Sequence, residues 1–291
     1  MRQTPSILFI AVDDLISSRG HALMGFDEFT AKLDHEGIPA VWLTRRSRLH
    51  FDEPRRKLGH VHPFIAEDGC GVYLPEDYFH LRPGAHGQNE SDTPTIRLGR
   101  FTCIPVAKPA PAAREALENL SEETGVPVVA LHTLSPRELS QNTGLQLREA
   151  ELMRQRDFDE FFFFAGASEA EMKKLLGEGQ NRGVEFRQHG VLWSAAVGAN
   201  LGKCVKALSG LYERALRHHP RTVGVAAEAG SAKFFPLFDK AVLLTDTHRL
   251  SAESPSKGGK VSVEIALHST DIWDQMLEVA LGTSSKGTGI K

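Results

Sequence analysis

Residues 7–12 form an unbroken apolar run that stops at two carboxylates, Asp13 and Asp14. A short continuous apolar run of this kind marks a strand buried on both faces. The next patterned segment changes step. Phe26, Phe29 and Leu33 recur at helical spacing across 26–35, and Gly37 supplies the stop. A second apolar run, 38–43, ends at Thr44. A helix is expected over 51–58, then short strands at 63–66 and 71–74 flanking a turn that begins Glu67-Asp68-Gly69. Strand, helix, strand in this rhythm predicts a parallel sheet with right-handed crossovers.

Residues 80–95 are polar and rich in turn formers, the clearest linker in the chain. Beyond it, 96–106 reads as a strand, 112–124 as a helix stopped by Gly125, and 128–131 as a strand. Ser135-Pro136-Arg137-Glu138 has the pattern of a capping box with proline at the first helical position. A short helix is expected over 147–156. Phe161 to Phe164, four aromatics in succession, read as a strand in a sheet core rather than as a stacking platform. A Ser-capped helix follows at 168–177, then a hairpin of 184–187 and 191–196 around His189-Gly190. From Gly202 the first rhythm returns: helix 203–218, strand 222–226, helix 232–238, strand 241–244 and one helix near 270–281, with a Ser-, Gly- and Lys-rich end. The expected plan is an α/β core, residues 1–82 and 198–291, split by an inserted α/β unit over 83–197.

Composition narrows the function classes. The 291 residues are 41% hydrophobic and 24% charged, enough for one large or two moderate globular units. A net charge of −3 supplies no basic field for nucleic acid, and the longest apolar runs are too short to span a membrane. Neither partner is expected. Cys70, Cys103 and Cys204 are odd in number and lack metal-ligand spacing, so reduced structural thiols and a cytoplasmic location are expected. His218-His219, just before Pro220, reads as an exposed helix end rather than a metal site.

Acids at the carboxyl end of a buried strand are where open α/β sheets place chemistry. The stretch SILFIAVDDLI resembles the first motif of the haloacid dehalogenase (HAD) superfamily, a hydrophobic strand followed by D-x-D-G-T. Three further segments resemble one branch, the mannosyl-3-phosphoglycerate phosphatases. HPFIAEDGCGVYLPEDYF (62–79) is similar to that family's P-F-I-x-E-N-G-x-x-I-x-x-P. The 134–162 segment is similar to its T-G-L and R-E-x-x-E-P-F cap region, and VGANLGKCVKAL (197–208) to G-N-D-K-G-K-A-V. The resemblance implies a HAD-like Rossmannoid parallel sheet core with an inserted α/β cap domain. It also implies a phosphatase lineage in which an Asp nucleophile, a second Asp as general acid and a bound Mg²⁺ cleave a phosphomonoester.

Carried over residue by residue, the nucleophile falls on Ala11 and the general acid on Asp13. Thr44 matches the phosphate-binding hydroxyl and Lys203 the phosphate-binding lysine. The fourth motif, G-D-S-x-N-D, is replaced by the segment from Ala226 to Ser231, so its two metal-proximal acids fall on Ala227 and Ser231. Asn200 stands where the family has the Asp of D-K. Little of an Mg²⁺ site remains, so no cofactor is expected.

The residues leave three readings open. In the first, a degraded phosphatase relative keeps a cleft for a phosphorylated sugar or glycerate. Thr44, Arg45, Lys203, Arg156 and Asn200 would line it, with Arg46, Arg48, Asp157 and Glu160 nearby. In the second, Asp13 and Asp14, with Glu228 as an added ligand, form a new acid–base or metal site. In the third, the cleft is filled and the chain is an interaction protein with a protein partner. Asp13 and Asp14 also have a plainer reading, as acids that bind backbone amides at the strand end.

Overall fold

A computed structural model describes residues 5–17, 20–79, 94–227, 231–245 and 262–283. The apolar run at the start forms β1 (Ser6–Ala11), every residue of it buried. The phenylalanine spacing forms α1 (Phe26–His35), with Phe26, Phe29 and Leu33 on its buried face. Then come β2 (Ala40–Leu43), α2 (Arg48–Lys57), β3 (Phe64–Ala66) and β4 (Gly71–Leu74). The hairpin β5 (Ile96–Leu98) and β6 (Phe101–Pro105) follows.

The inserted unit comprises α3 (Ala110–Thr124), β7 (Val128–Ala130), α4 (Pro136–Thr143), α5 (Leu147–Arg154), β8 (Asp159–Phe164), α6 (Glu169–Asn181), β9 (Val184–His189) and β10 (Leu192–Val197). The chain returns through α7 (Leu201–Leu216), β11 (Arg221–Ala226), a 3-10 helix (Ser231–Leu237), β12 (Lys240–Thr245), β13 (Val263–Ala266) and α8 (Ile272–Leu281). No helix among the described residues is long and apolar enough to cross a membrane.

The core is a nine-stranded sheet in the order β13-β12-β11-β1-β2-β3-β4-β6-β5. The first six of these pair in parallel, and β4, β6 and β5 are antiparallel. Strand alternation sends Leu8 and Ile10 to the face covered by α1 and α8. It sends Ile7 and Phe9 to the face covered by α7. Helices on both faces make the sheet doubly wound. β1 lies between β11 and β2, where strand order reverses, so its carboxyl end opens at the topological switch point.

The second sheet, β7-β8-β10-β9, is antiparallel. On one face Phe162, Ala195 and Val184 pack with Leu117 and Leu120 of α3 and Leu175 of α6. On the other, Phe161 and Leu192 pack with Leu139 of α4 and Ala150 of α5. The aromatic run is therefore sheet core on both faces. The capping boxes at Ser135–Glu138 and at Ser168–Glu171 both form. All three cysteines are free and buried.

Three expectations change. Segment 96–106 does not open the inserted unit. It turns back at Gly99-Arg100, and β6 pairs with β4 at Gly71↔Pro105 and Leu74↔Thr102. Phe101 and Cys103 thereby join one face of the core and Ile104 the other. The boundary set at residue 83 thus moves past β6, to just before α3. Segment 232–238 is a 3-10 helix that carries Pro236. β13 was not anticipated at all; it adds a parallel edge to β12. Most of the expected linker, 80–93, and the tail, 284–291, lie outside the described residues.

The turn between β3 and β4 is where core and inserted cap meet. Glu67, Asp68 and Gly69 all have positive φ, and a Cβ on Gly69 would lie 2.7 Å from the backbone of Leu201. Gly69→Ala is expected to cost about 2–3 kcal/mol of stability, through strain and displacement of the start of α7. A urea titration read by circular dichroism checks this.

Candidate functional site

The carboxyl ends of β1 and β2 bring Asp13, Asp14, Thr44, Arg45 and Arg46 together. Asp13 is saturated from one side. Thr44 Oγ1 donates to its Oδ1 at 2.8 Å and the Arg45 backbone N–H to its Oδ2 at 2.7 Å. The Arg46 guanidinium lies 3.3 Å from Oδ1. Arg46 also donates to the carbonyl of Ile16 at 2.7 Å. Arg45 reaches over both acids, 3.6 Å from Asp13 and 3.5 Å from Asp14, and its side chain is 42% exposed. Of Arg45, Arg46 and Arg48, only Arg45 stays open to an incoming anion. Arg48 is turned away, held by Asp157 at 3.0 and 3.2 Å.

Thr44, which matches the phosphate-binding hydroxyl, thus donates to Asp13. Asn200 caps α7, its side-chain oxygen accepting from the Lys203 backbone N–H at 2.9 Å. Lys203 is exposed, and among the described residues no ion pair holds its ammonium.

Arg156 is buried and committed to partners within the chain, which corrects its reading as a ligand-binding residue. It pairs with Asp159 through two N–H groups, donates to the carbonyl of Arg45 at 2.9 Å and lies over the Phe161 ring at 4.0 Å. Glu160 is likewise buried, paired to Arg114 at 2.8 Å on the far side of β8.

Ala11, at the position matching the nucleophile, packs in an apolar cluster with Ala226, Phe235, Ala241 and Leu243. Ala227 packs against the main core. Glu228 and the side chain of Ser231 lie outside the described residues. An Mg²⁺ ion requires several hard oxygen donors in octahedral array. Ala11 and Ala227 offer none, and both Asp13 oxygens already accept hydrogen bonds. Among the described residues no group of three or more His, Cys, Asp or Glu side chains converges on a metal-sized site. The described donors do not fit the cation. Nor does a thiol replace the missing nucleophile, since burial pushes Cys204 up to about 12 and Cys70 and Cys103 well above the usual range.

Glu67, which falls on the Glu of P-F-I-x-E-N-G, is a functional residue that sequence reasoning misses. It accepts the backbone N–H groups of Asp157, Phe158 and Asp159 at 2.8–3.0 Å, tying the linker before β8 to the core turn. Burial and the Asp159 carboxylate push Glu67 above the ordinary carboxylate range, against the pull of Arg156 and these amides. Asp157 is held in turn by Tyr73 at 2.8 Å. A signal for this hub was present in the run of turn residues at 67–71, but charged residues are buried too rarely for sequence alone to place one there.

No protein-family profile matches the chain. It is 24% identical over 212 residues to a glucosyl-3-phosphoglycerate/mannosyl-3-phosphoglycerate phosphatase of Methanococcoides burtonii, covering 72% of this chain and 73% of that protein. It is 24% identical over 226 residues to a mannosyl-3-phosphoglycerate phosphatase of Pyrococcus furiosus, covering 77% and 84%. Among solved structures, a HAD superfamily phosphatase of Bacteroides thetaiotaomicron superposes with a TM-score of 0.60 at 16% identity, over 96% of each chain. A HAD subclass IIB sugar phosphatase superposes with a TM-score of 0.56 at 13% identity, over 96% of this chain and all of the other. The architecture is that of HAD-like proteins, a Rossmannoid core with a cap.

Proposed function

We propose that this chain, which has the HAD-like fold, no longer hydrolyses phosphomonoesters by the Mg²⁺-dependent route of its relatives. It uses the mouth of the same site to bind a phosphorylated small molecule. The observation that carries the reading is the state of the two positions matching the catalytic acids. Ala11 has no attacking atom and is packed against Phe235, while Asp13 is held by Thr44, Arg45 and Arg46. Both oxygens of the residue matching the general acid are engaged by donors of the chain itself. Loss of a nucleophile in a cooperating set costs up to about 10⁶ in turnover. The exposed Arg45 and Lys203 supply positive charge for an anion. The second reading, an acid–base pair of Asp13 and Asp14, loses support because Arg45 bridges both.

The expected result is no release of phosphate from mannosyl- or glucosyl-3-phosphoglycerate, with or without Mg²⁺, together with a concentration-dependent rise in melting temperature when the same compounds are added. Turnover with Mg²⁺ that vanishes in Asp13→Asn would overturn the proposal. A melting temperature indifferent to every phosphorylated compound would leave only the interaction-protein reading.

A further inference from the structure

The outer edges of the two sheets are unequal. β13 has four residues, and β5 and β7 have three each. β9 has six, all paired with β10 in unbroken register. Among the described residues no strand pairs with its other side. It carries no proline, lysine or bulge, the usual devices that blunt an edge. Both faces beside this edge are unfinished as well. Helix α3 lies over β8 and β10, and α6 over β9 at the margin of the sheet. Gly179 lets α6 sit directly on the Phe186 ring, which a Cβ there would meet at 2.3 Å. Leu175 packs inward, while Lys174 and Arg182 reach toward α3, donating to the carbonyl of Thr124 and to Glu123. Helical geometry then puts Met172 and Leu176 on the opposite flank, above the open side of β9. Both are half-buried, and neither joins the apolar clusters of the cap. On the other face of the strand stand Glu185 and Arg187, alternating with Phe186. Glu185 is exposed and, among the described residues, makes no ion pair. Arg187 lies 3.6 Å from Asp68 with its side chain 35% exposed.

We propose that β9 is the seam of a homodimer, in which a second copy of the chain pairs antiparallel with it across a two-fold axis perpendicular to the sheet. Opposed residues of an antiparallel pair project to the same face, so the axis passes through a residue and not between two. An axis through Glu185 or through Arg187 sets like charges against each other. Axes nearer either end leave half of the strand unpaired. The axis through Phe186 sets Glu185 against the partner's Arg187, twice by symmetry, and Phe186 against its own copy. The same axis lays the two α6 helices antiparallel above the seam, where Met172 and Leu176 meet their copies. The four-stranded cap sheet continues into its partner as one sheet of eight strands. Backbone pairing, an apolar strip on one face and two ion pairs on the other all specify one partner, the chain itself.

The test is sedimentation equilibrium of the full chain over a concentration series. The wild-type mass is expected to approach twice that of the chain as concentration rises. Glu185→Arg opposes the partner's Arg187 and is expected to raise the dissociation constant on the order of tenfold or more, an effect that shrinks as salt screens the repulsion. Leu176→Arg places a charge in the apolar strip and is expected to weaken the dimer by a similar factor. Neither side chain is buried, and circular dichroism melting checks that each variant is folded. Amide hydrogen exchange adds a readout from the wild type alone: the β9 amides should exchange more slowly as concentration rises. A chain that stays monomeric at every concentration sinks the proposal. So does a dimer indifferent to both substitutions, or one whose formation leaves β9 exchange unchanged.

Discussion

Replacing Arg156 with methionine is expected to lower the free energy of unfolding by about 3–5 kcal/mol. The guanidinium is buried between the cap strand β8 and the core loop after β2. It neutralises Asp159, and the donor to Arg45 O is lost with it. Methionine preserves much of the stem packing over Phe161 but leaves the buried Asp159, with Glu67 close by, uncompensated. Breaking one side of a buried pair costs more than the intact pair contributes, because the surviving charge stays in a poor dielectric. Urea denaturation with a shared m-value measures the change. Arg156→Met combined with Asp159→Leu should recover a good part of the loss. A single variant that unfolds at the wild-type midpoint would show that this pair does not hold the cap.

Acid should weaken the fold well before the carboxylates titrate. His60 is buried against Trp42, with ring centroids 3.9 Å apart, and its Nε2 bonds the carbonyl of Ala40 at 2.8 Å. A carbonyl can only accept, so Nε2 carries the proton, and the buried Nδ1 has no partner. Burial pushes His60 down to about 3, and burial with Arg46 and Arg156 nearby pushes His50 down to about 4. The unfolded chain therefore binds more protons than the folded one below about pH 6.5, and stability falls as pH drops through that window. His60 alone accounts for about 3 kcal/mol between pH 6.5 and pH 4. Glu67 acts in the opposite sense. Its folded value lies above the ordinary one, so its contribution falls as pH rises toward that value. Comparing wild type with His60→Gln isolates the histidine: the slope of stability against pH between 4 and 6.5 should flatten in the variant. Parallel slopes would refute the assignment.

What sequence could show here was local. The spacing of Phe26, Phe29 and Leu33, and the capping boxes at Ser135 and Ser168, depend on neighbours within a turn or two, and each formed as expected. The placement of 96–106 depended on a partner strand some thirty residues back, and the reversal at Gly99-Arg100 gave no strong signal within an otherwise apolar run. At the site, Ala11 and Asp13 were legible because the strand ends there. Thr44 was legible as a strand-end hydroxyl, but its bond to Asp13 is not something spacing encodes. Sequence reasoning places Arg156 in the ligand cleft and gives Glu67 and Asp159 no role. Their burial depends on one another, across some ninety residues of chain.

The central position of β1 also governs how the chain comes off the ribosome. Its fully apolar SILFIA segment pairs on one side with β2, made some thirty residues later, and on the other with β11, which begins at Arg221. At ordinary elongation speeds that second edge waits on the order of tens of seconds for its partner. An uncovered edge of this composition is a template for pairing with other chains. The chain is therefore most vulnerable to aggregation during synthesis, and its recovery in soluble form should depend on holding chaperones and on lowered growth temperature more than its folded stability implies.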